Sequence, residues 1–258
     1  MKHQNCLTIY GRNPVIEALQ EAVTDPNAIK PLKLFLDQQA RGGQIQDMLA
    51  LCRQLGIEVK RMSALELSRI SRNGNQDQGV ALDLLAPKYQ SLQSALKEDL
   101  SKINQPIFLF DGITTPANVG MLIRSLMASD VYAMVLPRKG CSEINPLVIK
   151  SSSGLALHAP IWHHSDAVSA VEQLKANGFP IYGLSGLASL GKESLYGQKL
   201  TQRAVWVLGN ESNGISPAVE ALVDRWYYME MFQQVESLNV AVAGAVVAFE
   251  LMRQRIHR

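Results

Sequence analysis

The sequence predicts an α/β protein, a parallel β-sheet covered by helices and preceded by a smaller α/β unit. Two observations carry that prediction. Between positions 106 and 256, β-rich apolar runs alternate with segments of helical period, the pattern of a sheet shielded on both faces. Before position 87 a shorter alternation of the same kind occurs, followed by leucines recurring every three or four residues.

In the N-terminal part, TIYGRNPVIEALQEAV carries the first helix signal. Asn13 reads as its cap and Pro14 as its first helical residue, and Val15, Ile16, Leu19 and Val23 form one apolar stripe. Strand-like runs follow at 32–36, 57–61 and 80–84, with a helix over 44–55 between the first two. Leu92, Leu96, Leu100 and Ile103 then define a linker helix. The chain divides into a small α/β domain at 1–86, this linker helix at 87–105 and a second domain at 106–258.

The second domain is expected to place strands near 106–110, 131–136, 180–184, 204–208 and 226–229. Helices are expected near 118–129, 166–177, 216–223 and 237–256. The last of these is apolar nearly all round, so it must be buried in a core or against a partner. Ser237, Leu238 and Asn239 stand at its mouth. Orphan backbone N–H groups and a positive dipole end gather there, to be satisfied by a side-chain cap or turned toward a ligand. Periodicity alone gives an ordinary open sheet, because knotted chains are very rare.

Composition sets bounds. A hydrophobic content of 47% is ample for a packed core, and the mean hydropathy is near zero. No run approaches the roughly 18 apolar residues of a membrane span, and MKHQNCLTIYGRN lacks the apolar stretch of a signal peptide. Cys6, Cys52 and Cys141 form no CxxC pair, which points to a reducing cytoplasm and away from zinc or a disulfide framework. The net charge is only +2, so any grip on nucleic acid must come from local clusters or from two subunits together. Arg69 with Arg72, Arg138 with Lys139, and Arg253, Arg255, His257 and Arg258 are the candidates; each also reads as plain solvated surface.

Three segments share one grammar of strand, polar turn and helix. The first centres on Asn118-Val119-Gly120 with Arg124 beyond it, the second on Leu208-Gly209-Asn210-Glu211 with Gly214, and the third on Ser237-Leu238-Asn239-Val240. In this order they resemble the three signature motifs of the SpoU (TrmH) branch of the SPOUT RNA methyltransferases, over roughly residues 104–258. The opening IYGRNPVIEAL and the later QGVALDL resemble the ribosomal-protein-L30e-like substrate-binding domain that many of these enzymes carry.

The resemblance implies a SPOUT-type parallel sheet with a C-terminal trefoil knot. It implies a homodimer that moves a methyl group from S-adenosylmethionine to a ribose 2′-hydroxyl in RNA. Ribosomal RNA of the large subunit is the first expectation and transfer RNA the second. A non-catalytic RNA-binding or assembly protein of the same fold is the alternative from another class. Positions Leu208, Gly209, Met229, Met231 and Leu238 are implied to line the cofactor pocket. Gly209 also suits any tight turn.

Methyl transfer to a ribose needs donor and acceptor held in line, a proton taken from a poorly acidic hydroxyl, and a phosphate held so that one ribose is presented. Arg124 resembles the family's essential arginine, sometimes assigned as the base. A guanidinium is effectively never deprotonated, so a hold on the target phosphate and on developing alkoxide charge fits it better. Which group takes the proton stays open. Asn118, Glu211, Ser237 and Asn239 form the expected polar shell, with Asn118 also readable as a helix cap and Glu211 as a partner of Arg124 or of nearby backbone.

The chain departs from the family pattern where Met229-Glu230-Met231-Phe232-Gln233-Gln234 replaces an Ile-Pro-Met run with small residues, and where Ala117 stands for a polar residue. No metal is expected: His163 and His164 are adjacent and lack acidic or cysteine partners at ligand spacing. Neither a GxGxxG nor a GxxxxGK[ST] sequence occurs, which disfavours a Rossmann or P-loop site.

Overall fold

A computed structural model of the 258-residue chain describes residues 6–25, 29–72, 74–185, 192–233 and 235–256. Gln234, His257 and Arg258, singled out above, lie outside the described residues. In chain order the first elements are β1 (Cys6–Tyr10), α1 (Arg12–Thr24), β2 (Pro31–Asp37), α2 (Gly43–Leu55), β3 (Glu58–Met62), α3 (Ala64–Ser71) and β4 (Val80–Leu85). Then come β5 (Gln90–Ser91), α4 (Leu92–Ala95), β6 (Ile107–Phe110), α5 (Pro116–Ala128), β7 (Ala133–Pro137) and α6 (Pro146–Ser151). A 3₁₀ turn at Leu155–Leu157 leads to β8 (Ile161–His164), α7 (Ala167–Ala176), β9 (Ile181–Ser185) and β10 (Lys192–Ser194). The chain ends through β11 (Val205–Leu208), α8 (Pro217–Glu220), β12 (Arg225–Tyr228) and α9 (Val240–Ile256). Two compact units result: residues up to Lys88 together with Ile144–His158, and Tyr89–Glu143 together with Ala159 onward.

The first unit is built on a four-stranded mixed sheet in the order β1-β4-β2-β3, with only β2 and β3 parallel. Tyr10, Phe35, Met62, Leu67 and Ala81 pack together between this sheet and α3. Neither β1 nor α3 was expected from periodicity. The signal for α3 lies instead in Ser63 and Glu66, which form a reciprocal capping box. Asn13 is not a cap. The N-cap of α1 is Gly11, at φ 92°, and the first N–H, of Arg12, is satisfied by Gln78 Oε1 at 2.9 Å. Asn13 Oδ1 instead accepts from Gln44 Nε2 of α2 at 3.0 Å. Segment Ile144–His158, expected in the second domain, belongs to this unit through α6 and its packing on β1.

The second unit holds an eight-stranded sheet in the order β10-β12-β9-β11-β6-β7-β8-β5, parallel throughout. Its central strands are continuous apolar runs, as parallel strands buried on both faces must be: Ile107–Phe110 and Val205–Leu208 are buried at every position. On one face Ile107, Leu109, Val135, Val205 and Val207 meet Ala170, Val171 and Leu174 of α7. Side chains alternate along a strand, so Phe108, Phe110, Trp206 and Leu208 face the other side, where α5 and α9 pack on each other.

The expected linker helix over 87–105 is corrected. That stretch gives the edge strand β5, the single turn α4 and irregular chain, and Leu92, Ala95, Leu100 and Ile103 are buried in the large core. Their spacing marks a face that packs on the sheet rather than a spacer. Strand β8, with two histidines in four residues, gave no apolar alternation to detect, and the short β10 gave none either. The helix expected from 216 to 223 closes after Glu220, and α9 starts at Val240. Ser237 and Leu238 are therefore loop residues. Among the described residues no helix is long and apolar enough to cross a membrane.

Candidate active site

All eight strands of the large sheet run the same way, so their C-terminal ends share one edge. Strand order reverses across β6 and β11, and open α/β sheets take ligands outside the carboxyl ends of strands at such a switch. A pocket of about 380 Å³ lies there, within the roughly 300–1,000 Å³ range of small-molecule sites. Its walls come from the end of β9 (Leu184, Ser185), the turn after β11 (Leu208–Ser212, Gly214, Ile215), the loop after β12 (Met229, Met231) and the approach to α9 (Glu236–Leu238, Val240, Ala243).

Each wall has a local cause. The turn after β11 closes on itself through a bridge between Asn210 and Gly214, and Asn210 Oδ1 accepts the N–H groups of Ser212 and Asn213. Asn210 Nδ2 donates to Gly112 O at 2.7 Å, and the Ser216 N–H donates to Asp111 Oδ2 at 2.7 Å, so this turn is pinned to the end of β6. Gly209 is required by space. A Cβ there would lie 2.3 Å from the backbone of Gly214 and Ile215. The loop after β12 is tied at Glu230, which accepts from Ser194 Oγ at 2.6 Å. Gly244 lets α9 descend onto the sheet, since a Cβ would meet Leu122 Cδ2 at 2.5 Å and Leu208 Cδ1 at 2.8 Å.

The five residues expected around a cofactor, Leu208, Gly209, Met229, Met231 and Leu238, all line this pocket, as do Glu211 and Ser237. Asn118, Arg124 and Asn239 do not. Asn118 is not a helix cap: Thr115 precedes α5, Pro116 opens it, and Asn118 is buried on its first turn. Its Nδ2 donates to Glu211 Oε1, and its Oδ1 accepts from Asn239 Nδ2 at 3.1 Å. One side chain thus joins all three motifs. Asn239 also caps α9, its Oδ1 accepting the Ala241 N–H at 2.9 Å. Glu211 is engaged by Asn118 rather than by Arg124, which stands exposed on α5.

Sequence reading passed over Asp111 and gave no role to Asn210 of the second motif, the two residues that hold this turn in place, and it passed over Leu184, Ser185, Ile215 and Glu236, which complete the walls. A polar residue directly after the apolar run IFLF was a signal for Asp111. Burial keeps two nearby groups neutral, Cys141 and Tyr227. Burial pushes up the thiol of Cys141, which donates to Phe110 O, and burial likewise raises the Tyr227 hydroxyl against the opposing pull of Arg225. Among the described residues no cluster of three or more His, Cys, Asp or Glu is placed to hold a metal ion. The two described arginines of the C-terminal basic cluster are both engaged within the fold. Arg253 pairs with Glu250, and Arg255 donates to the carbonyls of Ser129 and Asp130, so the latter ties α9 to the end of α5.

The model of the SpoU rRNA methylase family matches residues 105–249, and that of the RNA 2′-O ribose methyltransferase substrate-binding domain matches residues 8–90. The chain belongs to the SpoU rRNA methylase family. It is 30% identical to the 23S rRNA (guanosine-2′-O-)-methyltransferase RlmB of Xylella fastidiosa, over 96% of both chains. It is 28% identical to an uncharacterized tRNA/rRNA methyltransferase of Mycolicibacterium gilvum, over 96% of this chain and 76% of that one. In fold it is similar to the SpoU methyltransferase AviRb from Streptomyces viridochromogenes in complex with AdoMet, with TM-score 0.72 and 22% identity, covering 98% and 92% of the two chains. The expectations of an α/β fold with a parallel sheet and of an RNA 2′-O-ribose methyltransferase therefore stand.

Proposed function

We propose that this protein methylates a ribose 2′-hydroxyl in ribosomal RNA of the large subunit, acting as a cytoplasmic homodimer. The observation that carries the reading is the pocket at the strand ends, walled by the second and third motifs and braced by Asn118 of the first. Its chemistry fits S-adenosylmethionine. Leu184, Leu208, Ile215, Met229 and Leu238 offer apolar surface for an adenine, while the turn at Gly209–Glu211 and the side chains of Glu236 and Ser237 offer polar partners. When bound, this cofactor supplies an electrophilic methyl group.

The chain's own residues do the rest. Leu208, Gly209, Met229, Met231 and Leu238 hold the cofactor, and the Gly244 contact sets the depth of the pocket floor. Asn118, Glu211 and Asn239 keep the three motifs in register, which is positioning work. Ser237, exposed at the pocket rim, presents a hydroxyl toward the RNA side. Arg124 holds the target phosphate and stabilises charge developing on the attacking oxygen. Its exposed place on α5, outside the pocket walls, suits a guanidinium that serves a site completed by a second copy.

The dimer is supported by α9. Val242, Phe249 and Ile256 recur every seven residues and are 50%, 42% and 64% exposed, a stripe that a helix of this kind buries against a partner. The C-terminal trefoil knot belongs to the same reading, supported by the return of α9 from β12 to pack on α5 and over Leu208. Residues 1–86 serve as the L30e-like RNA-binding part. Mapping ribose methylation on total RNA with and without the protein tests the proposal. A single site in large-subunit RNA is expected. A transfer RNA site would move the substrate, and no site, with no cofactor bound in calorimetry, would leave an RNA-binding or assembly protein.

A further inference from the structure

The first unit contains a second cavity that the chemistry above does not use. It measures about 450 Å³ and lies between β1, the end of α3 and the start of α6, with Thr8, Tyr10, Ser71, Arg72, Asn145 and Leu147 in its walls. Two stretches far apart in sequence build it. Lys150 brings them together, its ammonium donating to Gln76 O at 3.0 Å and lying 5.6 Å over the Tyr10 ring. The ring itself is almost wholly buried.

The lining is chemically selective. Among the described residues, Arg72 is the one charged residue of the cavity walls, and no carboxylate lines the cavity. Arg72 ends α3 in the left-handed region, at φ 55°, and its side chain is exposed at the rim. Asp77, the buried acid behind the wall, is engaged by the Ser71 hydroxyl at 2.9 Å and the Gly79 N–H at 2.9 Å. The Thr8 hydroxyl donates to Asp83, which leaves the Thr8 oxygen lone pairs as acceptors toward the cavity. Asn145 Oδ1 accepts from Leu147 and Val148, so its amide protons remain to be donated. Acceptor, amide donor and a guanidinium at the mouth match the edge of one base and its phosphate. Sequence-specific RNA recognition works through such splayed, unpaired nucleotides.

We infer that this cavity binds a single unpaired nucleotide of the substrate RNA, base inward and phosphate on Arg72, at a site separate from the methyl-transfer pocket. The inference rests on the reading of the protein as an RNA methyltransferase and names where its first unit reads the substrate. It explains how a chain of net charge +2 can select RNA: recognition is concentrated in one cavity rather than spread over a basic face.

The test uses the full chain and fragments of large-subunit RNA carrying 4-thiouridine. Crosslinks are expected in the peptides around Thr8–Tyr10 and Asn145–Leu147. Arg72→Ala should weaken binding and flatten the dependence of log Kd on log salt by about 0.7, the value for one lost phosphate contact on a single strand. Thr8→Val should weaken binding severalfold with that slope unchanged. Arg53→Ala, on α2 and outside the cavity, should leave both as in the parent. Equal losses for Arg53→Ala and Arg72→Ala, or crosslinks confined to other peptides, would overturn the inference. Parent methylation with an unaltered RNA KM in Arg72→Ala defeats this inference alone. RNA binding that depends on Arg72, in a protein that transfers no methyl group, defeats only the catalytic reading.

Discussion

Asn118 donates its side-chain amide to the carboxylate of Glu211, a residue 93 positions away in the chain. The same side chain accepts from Asn239 across 121 positions. This pair of bonds locks α5 to the turn after β11 and to the mouth of α9.

Removing the link should therefore cost more than one hydrogen bond. Asn118→Ala is expected to lower stability by about 1–3 kcal/mol, since one bond is to a charged group, and to cut methyl transfer more than cofactor binding. Asn118→Asp places a second carboxylate beside Glu211, which raises the pKa of one of them. A raised carboxyl pKa stabilises the fold at low pH and loses that contribution as pH climbs through it. Urea unfolding between pH 4 and 8 should show this variant falling behind Asn118→Ala toward neutrality.

Gly209→Ala probes space rather than backbone freedom. Its Cβ would sit 2.3 Å from the backbone atoms of Gly214 and Ile215, so the turn must open. Calorimetry should register at least a tenfold weaker affinity for S-adenosylmethionine, equal to about 1.4 kcal/mol. Parent-like affinity would show that the turn can move without cost.

Arg124→Ala should abolish methylation while leaving cofactor affinity and melting temperature near those of the parent. The side chain is exposed and lies outside the cofactor pocket. Unchanged turnover would remove Arg124 from the mechanism.

The stripe on α9 makes a claim about assembly. Phe249→Glu sets a charge in the middle of the apolar row formed with Val242 and Ile256. Sedimentation should show monomers where the parent shows dimers, and methylation should fall with dimer content. A dimeric variant would place the interface elsewhere.

An acid-stability test follows from the cap of α7. Hydrogen bonds from the Ser169 hydroxyl and N–H, and from the Ser165 hydroxyl, hold the Asp166 carboxyl at about 2, below its usual 3.8. With a depressed pKa, the contribution is complete above the unfolded value and is lost as pH falls through the folded one. Asp166→Ala should cost about 1 kcal/mol near neutrality, the usual worth of an N-cap. The difference from the parent should shrink between pH 4 and pH 2.

The alternation of strands and helices after position 106 was legible because parallel strands buried on both faces are continuous apolar runs, such as IFLF and VWVL. The same rule hid β8, whose histidines interrupt the run while His163 bonds Leu136 O and His164 bonds the cap of α7. The leucine spacing at 92–103 was real, but it recorded one buried face of an irregular segment, which periodicity cannot tell from a helix. All five residues expected at the cofactor line one pocket: four lie at a strand end or in the loop after it, and Leu238 lies at the approach to α9.

By itself, then, the sequence determined the class of fold, the three polar turns and the family they belong to, since these depend on residues within a few positions of one another. The tertiary structure alone decided that Asn118 braces rather than caps, that Glu211 answers to Asn118 and not Arg124, and that Gly209 exists for the backbone of Gly214 and Ile215. It also assigned Ile144–His158 to the first unit and so created the cavity at Arg72. Local propensity acts over a few residues. A cavity lined by positions 8 and 145 depends on where whole elements pack, and no spacing in the chain records that.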